Sequence, residues 1–295
     1  MICIGIGEND WAKAVPKALS IAASNRDISF RMMDLASLRV TFSDDETIVL
    51  DKSGKVVVTH LAPSLLYFKP AAAIALQALE DQGTRALNTV SAMQAADDKT
   101  LTARLLARNR IPQVPTHVIP LTISAMLEAF EGMGGETVFK RSHGGQGRWV
   151  RLAKSSTDVE SIYNEFLLEG SAAIVAQPCI NEFIGKTIRV IVTDGQVLAS
   201  ALRQTSLDWR SNIHLGSSQE LISLTNAEKE LAVSATHALG LGHSGIDLIR
   251  TNNGTKVLEV NACPDFTSMR ALSKVDIADR VIEKTLTAKS LQEGD

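Results

Sequence analysis

The sequence predicts a mixed chain, α/β at its start and α+β beyond, and three observations predict it. The first residues run strand, glycine turn, helix. From Ala95 the texture changes to helices and antiparallel strands. Near the end, His243 to Pro264 alternates apolar with polar residues on both sides of Asn252, Asn253 and Gly254, the pattern of a hairpin.

A chain of 295 residues holds two or three modest domains, and 45% hydrophobic with 21% charged residues is ordinary for a soluble globular protein. The net charge is -3 and basic residues do not run together, which argues against nucleic acid and anionic membrane as partners. The start, MICIGIGEND, has too short an apolar run for a signal peptide and no basic leader, and no window is long enough to span a bilayer. A cytoplasmic protein is expected. Cys3, Cys179 and Cys263 are far apart and odd in number, so they read as reduced thiols.

Met1 to Ile6 reads as a buried strand, followed by Gly7 to Asp10 and a helix from about Trp11 to Ser24. That order invites a dinucleotide-binding reading, but the third glycine of the fingerprint would fall at Asp10, so Gly5 and Gly7 serve a tight turn. Short strands are expected around Ile28–Met32, Thr47–Leu50, Lys55–Val58 and Leu65–Phe68, and small side chains make Ala71–Leu79 a closely packed helix. Up to about Val90 this is one α/β unit without an evident chemical site. Leu101, Leu105 and Leu106 then mark the apolar stripe of a helix capped by Asp97 or Asp98 and ended before Pro112. His117–Ile119 reads as strand and Ser124–Glu131 as helix.

A β-type run ending at Lys140 enters a loop with Gly144, Gly145 and Gly147, and the strand resumes at Trp149–Leu152. Such a loop can fold over a nucleotide, presenting backbone N–H groups to phosphates with a nearby lysine as a point charge. It is not a Walker loop, since no Gly-Lys-Ser/Thr follows and no helix starts there; a flexible hairpin tip is the competing reading. A helix near Asp158–Glu169, a buried strand Ala172–Ile180 and a hairpin turning at Asp194-Gly195 come next, with Arg189 on the hairpin's first strand and Arg203 on its second. Trp209–Ser218 is a polar loop, Asn226–Gly240 a helix with Asn226 as N-cap, and Asp276–Ala288 a last amphipathic helix.

Read with a three-residue loop Asn252-Asn253-Gly254, the hairpin sets Thr251 opposite Thr255 and Asp247 opposite Glu259, with Asn261 on the same face. Two carboxylates and an amide are hard oxygen ligands that suit Mg²⁺, usually with phosphates completing its shell. The alternative is an ordinary hairpin with its acidic side chains in water. Against it, Ile246, Leu248, Leu258 and Val260 bury the opposite face and leave this one for polar work. Another loop length would shift the register by one residue and separate the carboxylates.

These segments, in this order, resemble the ATP-grasp superfamily and its RimK-like branch of carboxylate-amine ligases. The matching residues are Asp98-Lys99 with Leu105 to Arg108, Lys140 with Gly144 to Gly147, Gln177 to Ile180, Ile188-Arg189, Arg210 to Asn212 with His214, Gly245 to Asp247, and Leu258 to Pro264. They cover about two hundred residues from Ala95 onward. The resemblance implies an ATP-grasp fold: an N-terminal α/β domain over residues 1–94, a central lid lobe with the glycine loop over 95–175, and a C-terminal antiparallel-sheet lobe over 176–295.

It further implies that Lys99, Lys140 and the loop of Gly144, Gly145 and Gly147 meet ATP phosphates. Gln177, Pro178, Cys179 and Ile180 form the adenine-side strand, with Glu182 toward the ribose and Asn212 in the nucleotide site. Asp247, Glu259 and Asn261 hold Mg²⁺, with Mn²⁺ as a substitute. A substrate carboxylate attacks the γ-phosphate to give an acylphosphate and ADP, and an amine then displaces phosphate, joining amino acids or peptides. Arg189 and Arg210 are the candidates for gripping the acylphosphate and stabilising its oxyanion. Relatives imply a homo-oligomer, dimer or tetramer.

The sequence also departs from the family pattern. Pro178 stands where an acidic residue is common, Thr187 where an aspartate usually precedes Ile-Arg, Trp149 where the loop has its last glycine, Leu215 where a basic residue is usual, and Cys263 and Asp265 where Ser and Gly flank the proline. Trp149 would stiffen the flap or offer a flat surface. His143 and His214 are loop histidines, read as bystanders before proton acceptors, and Cys263 as a small filler before a nucleophile. The competing functions are a catalytically silent nucleotide-binding regulatory protein and a kinase-like phosphotransferase on the same fold.

Overall fold

The computed structural model describes residues 1–6, 10–63, 70–144, 148–168, 170, 173–180, 185–205, 218–273 and 275–288. The chain opens with β1 (Ile2–Ile6), α1 (Asp10–Asn25) and β2 (Phe30–Asp34). Next, β3 (Arg39–Phe42), β4 (Thr47–Asp51) and β5 (Gly54–Lys55) form a small antiparallel sheet, and β6 (His60–Ala62), α2 (Pro70–Asp81) and β7 (Arg85–Ala86) follow. The first main sheet has the order β2-β1-β6-β7 and is parallel throughout, which suits the uninterrupted apolar run of β1, where Ile2, Cys3 and Ile4 are all buried.

The strand expected over Lys55–Val58 is shorter. Only Gly54 and Lys55 pair within it, although Val56 and Val58 are buried and Val57 is 69% exposed. The alternation is real, and just past Lys55 the Val56 N–H still donates to the Val49 carbonyl of β4 at 2.8 Å. The expected strand Leu65–Phe68 lies outside the described residues. Strands β3 and β6 were not foreseen.

The chain continues through α3 (Val90–Asp97), α4 (Lys99–Arg108), β8 (His117–Pro120), α5 (Ile123–Gly132), β9 (Thr137–Arg141), β10 (Val150–Ala153), α6 (Ser156–Leu168) and β11 (Ala173–Pro178), whose four strands form the second sheet. Its order is β10-β9-β11-β8, antiparallel. Asp98 breaks α3 from α4 by accepting from the backbone N–H groups of Thr100 and Leu101, which is the capping expected of it.

The third sheet, β14-β13-β12-β15-β16, is antiparallel and comes from β12 (Lys186–Thr193), β13 (Gln196–Gln204), β14 (Ser218–Leu221), β15 (His243–Thr251) and β16 (Gly254–Asn261). Helix α7 (Asn226–Ala238) covers it, and α8 (Thr267–Leu272) and α9 (Ile277–Thr287) end the described chain. The N-cap of α7 is Thr225 and not Asn226, because Glu228 falls three residues after Thr225 and closes a capping box with it. Val281 and Ile282 of α9 pack with Ile4 of β1, Leu19 of α1 and Ile191 of β12, so one core joins the first sheet to the third. No helix among the described residues is long and apolar enough to cross a membrane.

The last hairpin differs from expectation in an instructive way. Its loop has two residues, with Thr251 opposite Gly254 and Arg250 opposite Thr255. That register alone would have parted Asp247 from Glu259. A bulge at Leu258 adds one residue to β16, so Leu248 faces Val257 while Asp247 still faces Glu259.

Candidate active site

A cleft opens between the second and third sheets, with Lys140 and Gln177 on one wall, Val257 and Glu259 on the other, and Lys99 and Leu106 of α4 at its side. Lys140 lies on β9 between Val150 of β10 and Val175 of β11. The strand's alternation sends Phe139 into the core at 0% exposure and leaves Lys140 for the cleft. Burial pulls the Lys140 ammonium down to about 8; Glu259 opposes the shift and Lys99 adds to it.

Lys99 begins α4, and its ammonium donates to the Gly144 carbonyl at 2.6 Å while lying 3.7 Å from Glu259 Oε1. Its backbone N–H donates to the Ser142 carbonyl at 2.9 Å, so one residue ties the entry of the glycine loop to the opposite wall. Gly144 has φ +117°, and a Cβ there would come within 3.1 Å of Trp149 Cδ1. The guanidinium carbons of Arg141 and Arg148 lie 4.8 and 5.4 Å from the centre of the Trp149 ring. Trp149 is thus packed into the base of the flap. Gly145 and Gly147 lie outside the described residues.

Gln177 and Pro178 end β11, and Gln177 is buried with its Nε2 donating to Thr116 Oγ1 at 2.8 Å. Cys179 follows with its N–H on the Glu136 carbonyl at 3.0 Å, and Ile180 comes next. Glu182, Arg210, Asn212 and His214 lie outside the described residues. His143 is close to Ser142, with 2.9 Å between its Nδ1 and the hydroxyl.

On the third sheet Asp247 has Glu259 on one side and Arg189 on the other, and Asn261 lies two residues beyond Glu259 on the same face. Arg189 donates from Nε and Nη2 to the two oxygens of Asp247 at 2.6 and 2.8 Å. Gly245 makes room for this, since a Cβ there would sit 2.7 Å from Arg189 Nη1 and 2.6 Å from Pro264 Cβ. Arg203 Nη1 is 3.9 Å from Asp247 Oδ1, and the Arg203 Nε is buried with no hydrogen-bond partner among the described residues. Burial lowers Arg203 to about 10, with Arg189 adding to the effect and Asp247 opposing it. Arg203 is the site residue that sequence reasoning placed on a strand and left without a role.

The expected cation ligands fit an oxygen-seeking divalent ion. Asn261 donates its Nδ2 to the Gly245 carbonyl at 3.3 Å, which leaves the amide oxygen as its free end. A carboxylate offers about four lone-pair sites, so Asp247 keeps capacity beyond the Arg189 fork. No group of three or more His, Cys, Asp or Glu side chains suited to a metal occurs among the described residues; the set here is two carboxylates and an amide. The three cysteines form no disulfide, and Cys263 packs against the core of the first sheet.

A family model for the RimK-like ATP-grasp domain matches residues 96–285. Curated relatives named "Probable alpha-L-glutamate ligase" are 31% identical over 229 residues in Shewanella pealeana and 33% over 234 residues in Legionella pneumophila, 77% of this chain in each case. The match is 49% of the Shewanella protein and 74% of the Legionella one, so the chain spans about half the length of the former. Among solved structures, the RimK domain protein ATP-grasp from Sphaerobacter thermophilus has a TM-score of 0.75 at 18% identity, over 97% of this chain and 100% of that one. The ATP-grasp ligase PsnB, complexed with minimal precursor, Mg and ADP, has a TM-score of 0.69 at 18% identity, over 97% of each chain. At that identity the likeness is one of fold.

Proposed function

The chain belongs to the RimK-like ATP-grasp family, and on that premise we propose that it is an ATP-dependent carboxylate-amine ligase. It would form a peptide or amide bond through an acylphosphate, releasing ADP and phosphate. The observation that carries this reading is the cleft itself, with the ammonium groups of Lys99 and Lys140 beside Glu259, which faces Asp247 across the hairpin. Phosphoryl transfer needs positioning and neutralisation of spreading charge more than a covalent catalyst, and those are what this side-chain set can supply.

In this proposal Lys140 and Lys99 bind the phosphates, Lys99 exchanging the Gly144 carbonyl for a phosphate oxygen. Gln177 to Ile180 line the adenine side, with Glu182 and Asn212 assigned there by resemblance. Asp247, Glu259 and Asn261 hold Mg²⁺ or its substitute Mn²⁺, which when bound supplies Lewis-acid neutralisation of phosphate charge. Arg203 would donate to the acylphosphate oxyanion, a reading supported by its burial and by an Nε without a hydrogen-bond partner among the described residues. Arg189 holds Asp247 and keeps Nη1 for the same anion, while Arg210 stays a candidate by resemblance.

The names of the relatives and the precursor bound to PsnB support an amino acid or peptide as substrate. A cytoplasmic setting and a homo-oligomer, dimer or tetramer, belong to the same proposal. The test is a screen of amino acids and peptides, singly and in pairs, for ADP release, followed by mass measurement of the product. Release that needs both a carboxylate and an amine, with a product lighter than their sum by one water, supports the ligase. A stable phosphorylated product, or nucleotide binding without turnover, overturns it.

A further inference from the structure

Asn88 follows β7 in the N-terminal unit, the part of the chain in which the sequence showed no chemical site, and it is 2% exposed. Its side-chain amide makes four hydrogen bonds, all with the backbone of residues 242, 243 and 262. Nδ2 donates to the carbonyls of His243 at 2.7 Å and Ala262 at 2.8 Å. Oδ1 accepts from the N–H groups of Gly242 at 2.7 Å and His243 at 2.9 Å. An amide has two donor hydrogens and two acceptor lone pairs, and Asn88 uses all of them here.

His243 is the first residue of β15, and Ala262 directly follows Asn261 at the end of β16. Asn88 therefore fastens together the open end of the hairpin, beyond its last rung at Gly245 and Asn261. The chain is pressed close at the same place, since a Cβ on Gly242 would come 2.3 Å from Leu87 Cδ1. The bulge at Leu258 lies between the tip and these ligands, so the rungs from Asp247 to the open end do not simply continue the register of the tip. Within the last rung, the Asn261 bond to the Gly245 carbonyl is long, at 3.3 Å.

We infer that Asn88 is a positioning residue for the divalent-cation ligands, fixing Asn261 and Asp247 by clamping β15 to β16 at their open end. The inference rests on the proposed cation site of Asp247, Glu259 and Asn261. Outer partners that hold ligands in place are worth about ten- to a hundredfold in metal affinity. The role also demands an amide. Aspartate at this position would keep the two accepted bonds, lose both donated ones and turn a negative charge toward two carbonyl oxygens.

The experiment measures Mn²⁺ binding by electron paramagnetic resonance, on the full chain, with a non-hydrolysable ATP analogue present. The variants are Asn88→Ala, Asn88→Asp, Glu259→Ala and Thr89→Ala; the last removes the N-cap of α3 next door, a side chain bonded to Ser91 and Ala92. Expected are native far-UV circular dichroism for both Asn88 variants and Mn²⁺ binding weaker by about ten- to a hundredfold. Thr89→Ala should bind Mn²⁺ as the unaltered chain does even where it melts lower. Folded Asn88 variants with unchanged Mn²⁺ affinity overturn the inference, and so does failure of both to fold, which would make Asn88 a folding residue alone. Undiminished binding by Glu259→Ala would instead overturn the cation site itself.

Discussion

Arg189 and Asp247 stand side by side on β12 and β15, and the guanidinium grips both carboxylate oxygens with each side chain about nine-tenths buried. Neither charge could be left alone at that depth. The pair fixes the carboxylate proposed to meet the cation and turns the remaining arginine nitrogen toward Gly245.

Breaking such a pair strands a buried charge, so Arg189→Ala should lower folding stability by about 3–5 kcal/mol. Replacing both partners with apolar residues, as in Arg189→Met with Asp247→Leu, should recover much of that loss. Urea unfolding of the single and double variants measures it; a single-variant loss under about 1 kcal/mol would mean that water screens the pair.

Glu259→Ala should behave in the opposite manner. Its ion pair with Lys99 is 3.7 Å long and partly exposed, so stability should change by no more than about 1 kcal/mol. Mg²⁺-dependent ADP release should nevertheless vanish. Parallel thermal melts and turnover assays separate the two effects, and undiminished activity would remove Glu259 from the site.

Lys140 makes the cleft sensitive to pH. Its folded value of about 8 lies below the free lysine value of 10.5. Below pH 8 the group is charged in both states and adds no pH dependence. Between about 8 and 10.5 the unfolded chain holds the proton that the folded chain has released, so this group makes stability rise with pH across that window. Phosphate favours the charged form, so ADP binding should take up protons near pH 8 and weaken above it. Calorimetry in two buffers of different ionisation enthalpy measures the uptake, which Lys140→Met should abolish.

Gly245→Ala tests the close approach of Pro264 and Arg189. A methyl group 2.6 and 2.7 Å from them must displace one or both, at a cost of about 1–3 kcal/mol, and ADP release should fall because Arg189 is pushed off Asp247. Denaturation with unchanged midpoint would show that the strand gives way without strain.

Much of this was legible in the sequence because period and punctuation agreed. The apolar run of β1, the Asp98 cap, the turn at Asp194-Gly195 and the alternation of β15 and β16 each state their structure locally. What was not legible depends on extra residues in strands. The hairpin of β12 and β13 carries a bulge at Leu198, so Ile191 faces Ala199 while Val192 faces Val197. Without it Arg203 would fall on the face opposite Arg189; with it, Arg203 stands diagonal to Arg189 and near Asp247. Nothing in the local sequence marks the bulge, and so Arg203 had no evident role. Asn88 was hidden for another reason, since its partners lie more than 150 residues away in the chain.

The spare residue at Leu258 also gives a length change at the tip of the last hairpin a second position that can compensate it. Inserting one residue at the tip, or deleting Leu258, would by itself turn one strand's side chains over between edit and tip or carry the carboxylates out of step. Done together, the two edits cancel, and every rung from Asp247 to the open end stays as it is. A length change at the exposed tip thus leaves the chemistry in place only when Leu258 changes with it.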